Sequence, residues 1–220
     1  PDTGSSDEHV SLDGKVSAIL TVTDEDGDAV STEISVGNLL TFDDDGPRVT
    51  NQQQDVTVDE DDIDTILSTG TSPDDLGGTG NSNWIQFLSG TAIKTGSLQG
   101  TVDFGADGDA GADSFTFVGD AAQQLTDLGL SSDGDAVQFQ HAQVGTNLTL
   151  MIGVAGGRPV IGLLLNNETG AFEVLQADQL DHVTGNGENT ALQLLNGDEL
   201  AAIDFGSVII ATDGDGDTVA

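Results

Sequence analysis

Two short stretches of this chain place aspartates at alternate positions around a glycine. Asp24, Asp26 and Asp28 flank Gly27, and Asp213, Asp215 and Asp217 flank Gly214 and Gly216. Three further acidic runs are Asp43-Asp44-Asp45 ahead of Gly46-Pro47, Asp59-Glu60-Asp61 followed by Asp62, and Asp107 and Asp109 followed by Asp113. Two carboxylates ~4 Å apart repel by roughly 4 kcal/mol at an effective dielectric near 20. Three on one turn must therefore splay into solvent, take up a proton or share a cation. Hard carboxylate oxygens on a glycine-bearing loop suit Ca²⁺, which takes about 6–8 oxygen ligands in flexible geometry, better than Mg²⁺ with its tight octahedron. Zinc is disfavoured, because the chain has no cysteine and His9, His141 and His182 stand far apart in sequence. Two familiar calcium patterns do not fit. A loop counted from Asp24 as an EF-hand has Ala29 where glycine belongs and Ser35 where glutamate belongs, and one from Asp107 ends on Val118. Gly77-Gly78-Thr79-Gly80 begins a β-roll nonapeptide but continues to Ser82 instead of aspartate. Single Asp-Gly steps such as Asp133-Gly134-Asp135, and Asp74 and Asp75 in the Ser68–Asn83 loop, read as ordinary turns.

The acid is general as well as local. The 220 residues hold 39 Asp and Glu against four Lys and Arg, a formal charge of −35, and 31 of the 39 are Asp. Asp favours turns and caps over helix interiors, so the skew speaks against a helical protein. The balance excludes nucleic acid as a partner, which needs clustered Lys and Arg, and disfavours anionic membrane surfaces. No apolar run approaches the ~20 residues of a membrane-spanning helix, so no membrane insertion is expected, and no Lys/Arg-led signal opens the chain. Pro1 in place of an initiator Met suggests a fragment or processed chain. With no cysteine there is no disulfide staple.

High charge alone would fit a disordered tail. The order of residues argues against one. Short β-rich runs, Ala18–Val22, Phe115–Val118, Leu148–Val154 and Val208–Ala211, are each bounded by Gly, Asp or Asn. No helical period is sustained, and only Ala121–Leu128 and Asn196–Ala202 read as single helical turns. The expected fold is all-β, an Ig-like β-sandwich with acidic turns. The segment Ile19–Asp28 (ILTVTDEDGD) also aligns with Val208–Asp217 (VIIATDGDGD), and Glu8-His9-Val10 echoes Asp181-His182-Val183. Such repetition predicts a tandem array, with residues 1–46 the C-terminal part of one repeat and 47–220 the next, ending within its own hairpin. Pro47 makes the boundary a stiff connector. Hairpin 17–36 is expected to pack on the main domain, or on a neighbouring molecule by strand addition.

These motifs resemble the type I secretion repeat domains of giant bacterial RTX adhesins. The likeness rests on Val58-Asp59-Glu60-Asp61-Asp62, on Val102-Asp103-Phe104-Gly105-Ala106-Asp107-Gly108, and on Leu180-Asp181-His182. It continues in the hairpin Val22-Thr23-Asp24-Glu25-Asp26-Gly27-Asp28 and the boundary Asp43-Asp44-Asp45-Gly46-Pro47. It covers most of the chain in order and departs at Ser68–Asn83 and at both ends. The resemblance implies a calcium-stabilised extracellular segment on a bacterial surface, secreted by a type I system. It also implies that the partners are neighbouring repeats of the same polypeptide, with a surface glycan or protein ligand for the parent adhesin.

No enzyme is expected. Asp2-Thr3-Gly4-Ser5 spells an aspartic-protease motif, but it occurs once with no apolar strand before it, and that chemistry needs two aspartates sharing a proton. Paired carboxylates are too abundant to single out a glycosidase. Neither a Gly-x-Ser-x-Gly elbow nor a phosphate loop is present. The alternative is a calcium-dependent sugar- or peptide-binding module, with Trp84 and Phe87 as an aromatic platform.

Overall fold

The computed structural model describes residues 9–71, 79–80, 82, 84–85, 87–185 and 191–220. Asp2-Thr3-Gly4-Ser5, Glu8, Asp74, Asp75 and Gly77-Gly78 lie outside them. The chain begins with four strands, β1 (His9–Ser11), β2 (Ser17–Thr23), β3 (Ala29–Ser35) and β4 (Thr41–Asp43). β1 pairs antiparallel with β4, and β2 with β3 from Ser17–Ser35 to Thr23–Ala29. Next come β5 (Arg48–Val49), β6 (Thr79–Gly80), β7 (Thr91–Ser97), β8 (Val102–Asp103) and β9 (Phe115–Phe117). Helix α1 (Ala121–Asp127) follows. The remainder holds β10 (Ser131–Ser132), β11 (Asp135–Ala136), β12 (Gln138–Gly145), β13 (Leu148–Ala155) and β14 (Arg158–Asn166). It ends with β15 (Ala171–Gln176), β16 (Leu192–Gln193), β17 (Glu199–Leu200), β18 (Ile209–Thr212) and β19 (Thr218–Val219).

The principal sheet runs β12-β13-β14-β15-β7-β6, each neighbouring pair antiparallel. Turn chemistry sets its hairpins. β13 and β14 are joined by Gly156-Gly157, both at positive φ, the conformation that a two-residue hairpin turn requires. Gly170, also at positive φ, ends the β14–β15 connection, and a Cβ there would come within 2.7 Å of the Phe115 ring. β14 is the central strand, and Val160 to Leu165 are buried on both of its faces, as a near-continuous apolar run should be. A smaller sheet runs β19-β18-β9. One hydrophobic core joins the two sheets: Phe139, Met151, Leu163, Leu165, Phe172 and Val174 come from the larger, and Phe115, Ile209 and Ala211 from the smaller. Helix α1 adds Ala121 and Leu125, one turn apart on a single face. It stops before Gly129, which takes positive φ.

The all-β expectation holds, with α1 where Ala121–Leu128 was read as a helical turn. Asn196–Ala202 differs. Gly197 has φ +91°, Asn196 Oδ1 accepts from the Asp198 amide, and β17 begins at Glu199, so this stretch is a turn between β16 and β17. Of the two packings expected for hairpin 17–36, the one on the main domain is not found among the described residues, since every residue of β2 and β3 is exposed. Among the described residues no helix is long and apolar enough to cross a membrane.

Leu165 is fully buried in the shared core. Leu165→Ala should lower unfolding free energy by about 2–5 kcal/mol, read from urea denaturation at fixed metal concentration.

Candidate metal centre

The site is built from three segments distant in sequence. The first is the turn between β18 and β19. The Asp213 amide donates to the Asp217 carbonyl at 3.0 Å, and Asp213 Oδ1 accepts from the amides of Gly216 (3.1 Å) and Asp217 (2.8 Å). Gly216, at φ +109°, lets the chain reverse this tightly. The turn brings one carboxylate oxygen each from Asp213, Asp215 and Asp217 within 4.8 Å of one another. Asp213 is 1% exposed, and with both it and Asp215 ionised its Oδ2 is buried without a hydrogen-bond partner. A carboxylate oxygen removed from water without a donor is costly, and a cation is the usual remedy.

The second segment, 107–110, lies against this turn. The Gly214 amide donates to the Gly108 carbonyl at 3.0 Å, and the Ala110 amide to the Thr212 carbonyl at 3.1 Å. The approach is close: a Cβ on Gly214 would sit 2.4 Å from the Asp107 carbonyl oxygen. The third segment is the connector. Asp44 comes from it to meet Asp107 and Asp215, again with one oxygen each within 4.8 Å.

Backbone pairing holds the connector there. β5 pairs with β8, Arg48 makes a 2.6 Å ion pair with Asp103, and the Thr50 amide donates to the Thr101 carbonyl at 2.7 Å. Asp45 Oδ2 accepts from the Ala106 amide at 3.1 Å, and Pro47 is buried. Gly105 takes φ +69°, and a Cβ there would come within 2.6 Å of Asp45 Oδ2.

The electrostatics follow from this crowding. Asp215 is pushed up to about 6, chiefly by sharing a hydrogen bond with Asp213, then by desolvation and by the charges of Asp213, Asp44 and Asp107. A proton on Asp215 would be shared with Asp213, and a metal ion could take its place. The grouped ligand atoms are all carboxylate oxygens, so the cluster could hold a hard cation.

The turn between β2 and β3 repeats the first segment in isolation. The Asp24 amide donates to the Asp28 carbonyl (2.9 Å), the Asp28 amide to Asp24 Oδ1 (3.0 Å), and Gly27 has φ +98°. Asp24, Asp26 and Asp28 also group within 4.8 Å, fully exposed. Asp24 is held below the usual carboxylate range, first by a side-chain hydrogen bond with Asp26 and then by backbone amides of the turn.

The other acidic candidates are placed differently. Asp43 is exposed in β4. Asp109 Oδ1 caps the Gly111 amide at 3.0 Å, and Asp113 is exposed in the 3₁₀ turn Gly111–Asp113. Asp59 Oδ1 caps the Asp61 amide, and Asp61 Oδ1 accepts from Thr71. Glu60 reaches the loop after β15, where Oε1 accepts from the Leu180 amide (2.8 Å) and the Gln176 amide group, and Oε2 lies 3.3 Å from His182 Nε2. Asp59 and Asp61 thus brace segment 59–71 internally and Glu60 alone ties it to the loop after β15, and among the described residues none of the three joins a carboxylate group. Asp133-Gly134 forms a turn at positive φ, as expected, with Arg158 within 3.7 Å of both Asp133 and Asp135. Trp84 and Phe87 are half-buried. The alternating aspartates and Asp44 were marked by sequence, but the convergence of Asp44, Asp107 and Asp215 was not. The steric glycines 105 and 214 gave no signal beyond their neighbours.

Two predictions follow from this geometry. Because the Asp215 pKa is raised on folding, the folded state binds a proton between roughly pH 4 and 6 that the unfolded state does not. With chelator present, its contribution to stability is complete below this window and lost as pH rises through it. Asp215→Asn should abolish that component, seen as the difference between the two proteins in denaturation midpoints across the window. Gly105→Ala should displace Asp45 and weaken the connector, at a cost of about 1–3 kcal/mol by the same measurement.

Compared with protein-family models, curated proteins and solved structures, the chain matched none.

Proposed function

We propose that this chain is a calcium-stabilised extracellular repeat, an Ig-like sandwich in a tandem array, serving as a rigid spacer in a large secreted bacterial adhesin. The convergence of Asp44, from the connector, on Asp107 and Asp215 of the main domain carries the reading. A spacer requires that units not swivel about their joints. A connector whose carboxylate shares an ion with the body it precedes is fixed at that joint. Calcium is the favoured ion because the donors are hard oxygens on loops containing glycine. Asp213, Asp215 and Asp217 with Asp44 and Asp107 would hold it, and the buried Asp213 Oδ2 supplies a reason for an ion to be required. The cation would replace the proton held near Asp215 and remove the repulsion that otherwise pushes the connector away. Extracellular calcium is plentiful, and a chain without cysteine gains from it the bracing that other secreted domains take from disulfides. The motif resemblance to RTX adhesin repeats supports the same assignment.

Calcium at about 100 times its dissociation constant should stabilise the fold by about 2.7 kcal/mol per site. Calorimetry should show the melting temperature rising with Ca²⁺, and small-angle scattering should show a narrower distance distribution than in chelator. Paired Asp213→Asn and Asp215→Asn substitutions should remove most of the gain. Asp24→Ala with Asp26→Ala should lower only the calcium stoichiometry. Unchanged melting and scattering on adding Ca²⁺ would sink the proposal.

A further inference from the structure

The two acidic hairpins have the same turn and register but different surroundings. Val22 pairs with Val30 as Ala211 pairs with Val219, and Thr23 with Ala29 as Thr212 with Thr218. Aligned through ILTVTDEDGD and VIIATDGDGD, Leu20 corresponds to Ile209 and Val22 to Ala211. In β18 these positions are 7% and 3% exposed, whereas in β2 they are 50% and 57% exposed. The difference comes from what lies alongside. β18 is flanked by β9, with Ile209 opposite Phe117, Ile210 opposite Thr116 and Ala211 opposite Phe115. β2 has β3 on one side and no strand on the other among the described residues.

The bare edge has the character of an acceptor. Ala18, Leu20, Val22, Val30 and Ile34 share one face of the hairpin, an apolar stripe of the kind that marks an interaction surface. From Ser17 to Thr23 the edge carries no charge, in a chain of net charge −35. Exposed edges are ordinarily blunted with Lys, Pro or a bulge, and β2 has none of these. An uncharged strand can approach it without the repulsion that the rest of the surface would impose.

We infer that the free edge of β2 is a docking site for a strand of β9's chemistry, extended, uncharged and aromatic at alternate positions, supplied from outside the described fold. It lies antiparallel to β2 with aromatic residues opposite Leu20 and Val22, as Phe117 and Phe115 lie opposite Ile209 and Ala211. β9 of the same chain does not fill this place, because β18 occupies it. The pairing needs no bound ion, so it stands or falls separately from the calcium reading.

The test adds a synthetic peptide of residues 114–119 with capped termini, which carries Phe115-Thr116-Phe117, to the full chain in chelator and follows amide hydrogen exchange. Exchange in β2 should slow about tenfold or more at saturation, while protection in β12 to β15 stays unchanged. A peptide with serine at both phenylalanine positions should have no effect. Val22→Glu in the chain should abolish the protection, and Ser31→Glu, on the hairpin's other face, should leave it. Equal protection by the serine peptide, or none by either, overturns the inference. So does β2 protection that grows with protein concentration in the absence of peptide, since a second copy would then be the occupant.

Discussion

Like charges brought together at one end of the fold are the constraint on which the rest depends. Asp44, Asp107 and Asp215 converge from a connector, a loop and a hairpin turn, and Asp213 lies buried beside them with an oxygen unpaired. Carboxylates do not collect in this way by mutual attraction, so the scaffold must hold them there. The core between the two sheets fixes β18 and hence the turn, the pairing of β5 with β8 fixes the connector, and the Gly108–Gly214 contact fixes the loop. Apolar burial thus supplies the work against electrostatic repulsion.

The two arginines are used away from this cluster's centre. Arg158 serves Asp178 at 2.9 Å and lies near Asp133 and Asp135, steadying the turn beyond β10. Arg48 pairs with Asp103 beside the connector. Neither guanidinium forms an ion pair with Asp213 or Asp215, and a proton or an ion from solution could relieve the crowding there.

Local features were legible in the sequence and long-range ones were not. Alternating aspartates around glycine specify a tight reversal between β-rich runs, and both hairpins have it. Ala121–Leu128 announced a helical turn through its apolar spacing. Asn196–Ala202 had comparable spacing, but Gly197 placed a left-handed residue in its middle and turned it into a hairpin connection. The run Asp59-Glu60-Asp61 looks like a cation site on composition. In the fold its members instead cap a turn, bind Thr71 and reach His182, roles set by partners more than a hundred residues away for Glu60. The meeting of Asp44 with Asp215 depends on sheet order, which no local pattern encodes.

Surface loops usually tolerate replacement better than the elements that they join. Gly105 and Gly214 reverse that expectation. Each faces an oxygen at a distance that leaves no room for a methyl group, the Asp45 carboxylate for one and the Asp107 carbonyl for the other. An added carbon at either glycine would therefore meet an oxygen, although both loops face solvent. Among sequences that share this fold, drift should be slower at these two glycines than along the outward faces of the strands.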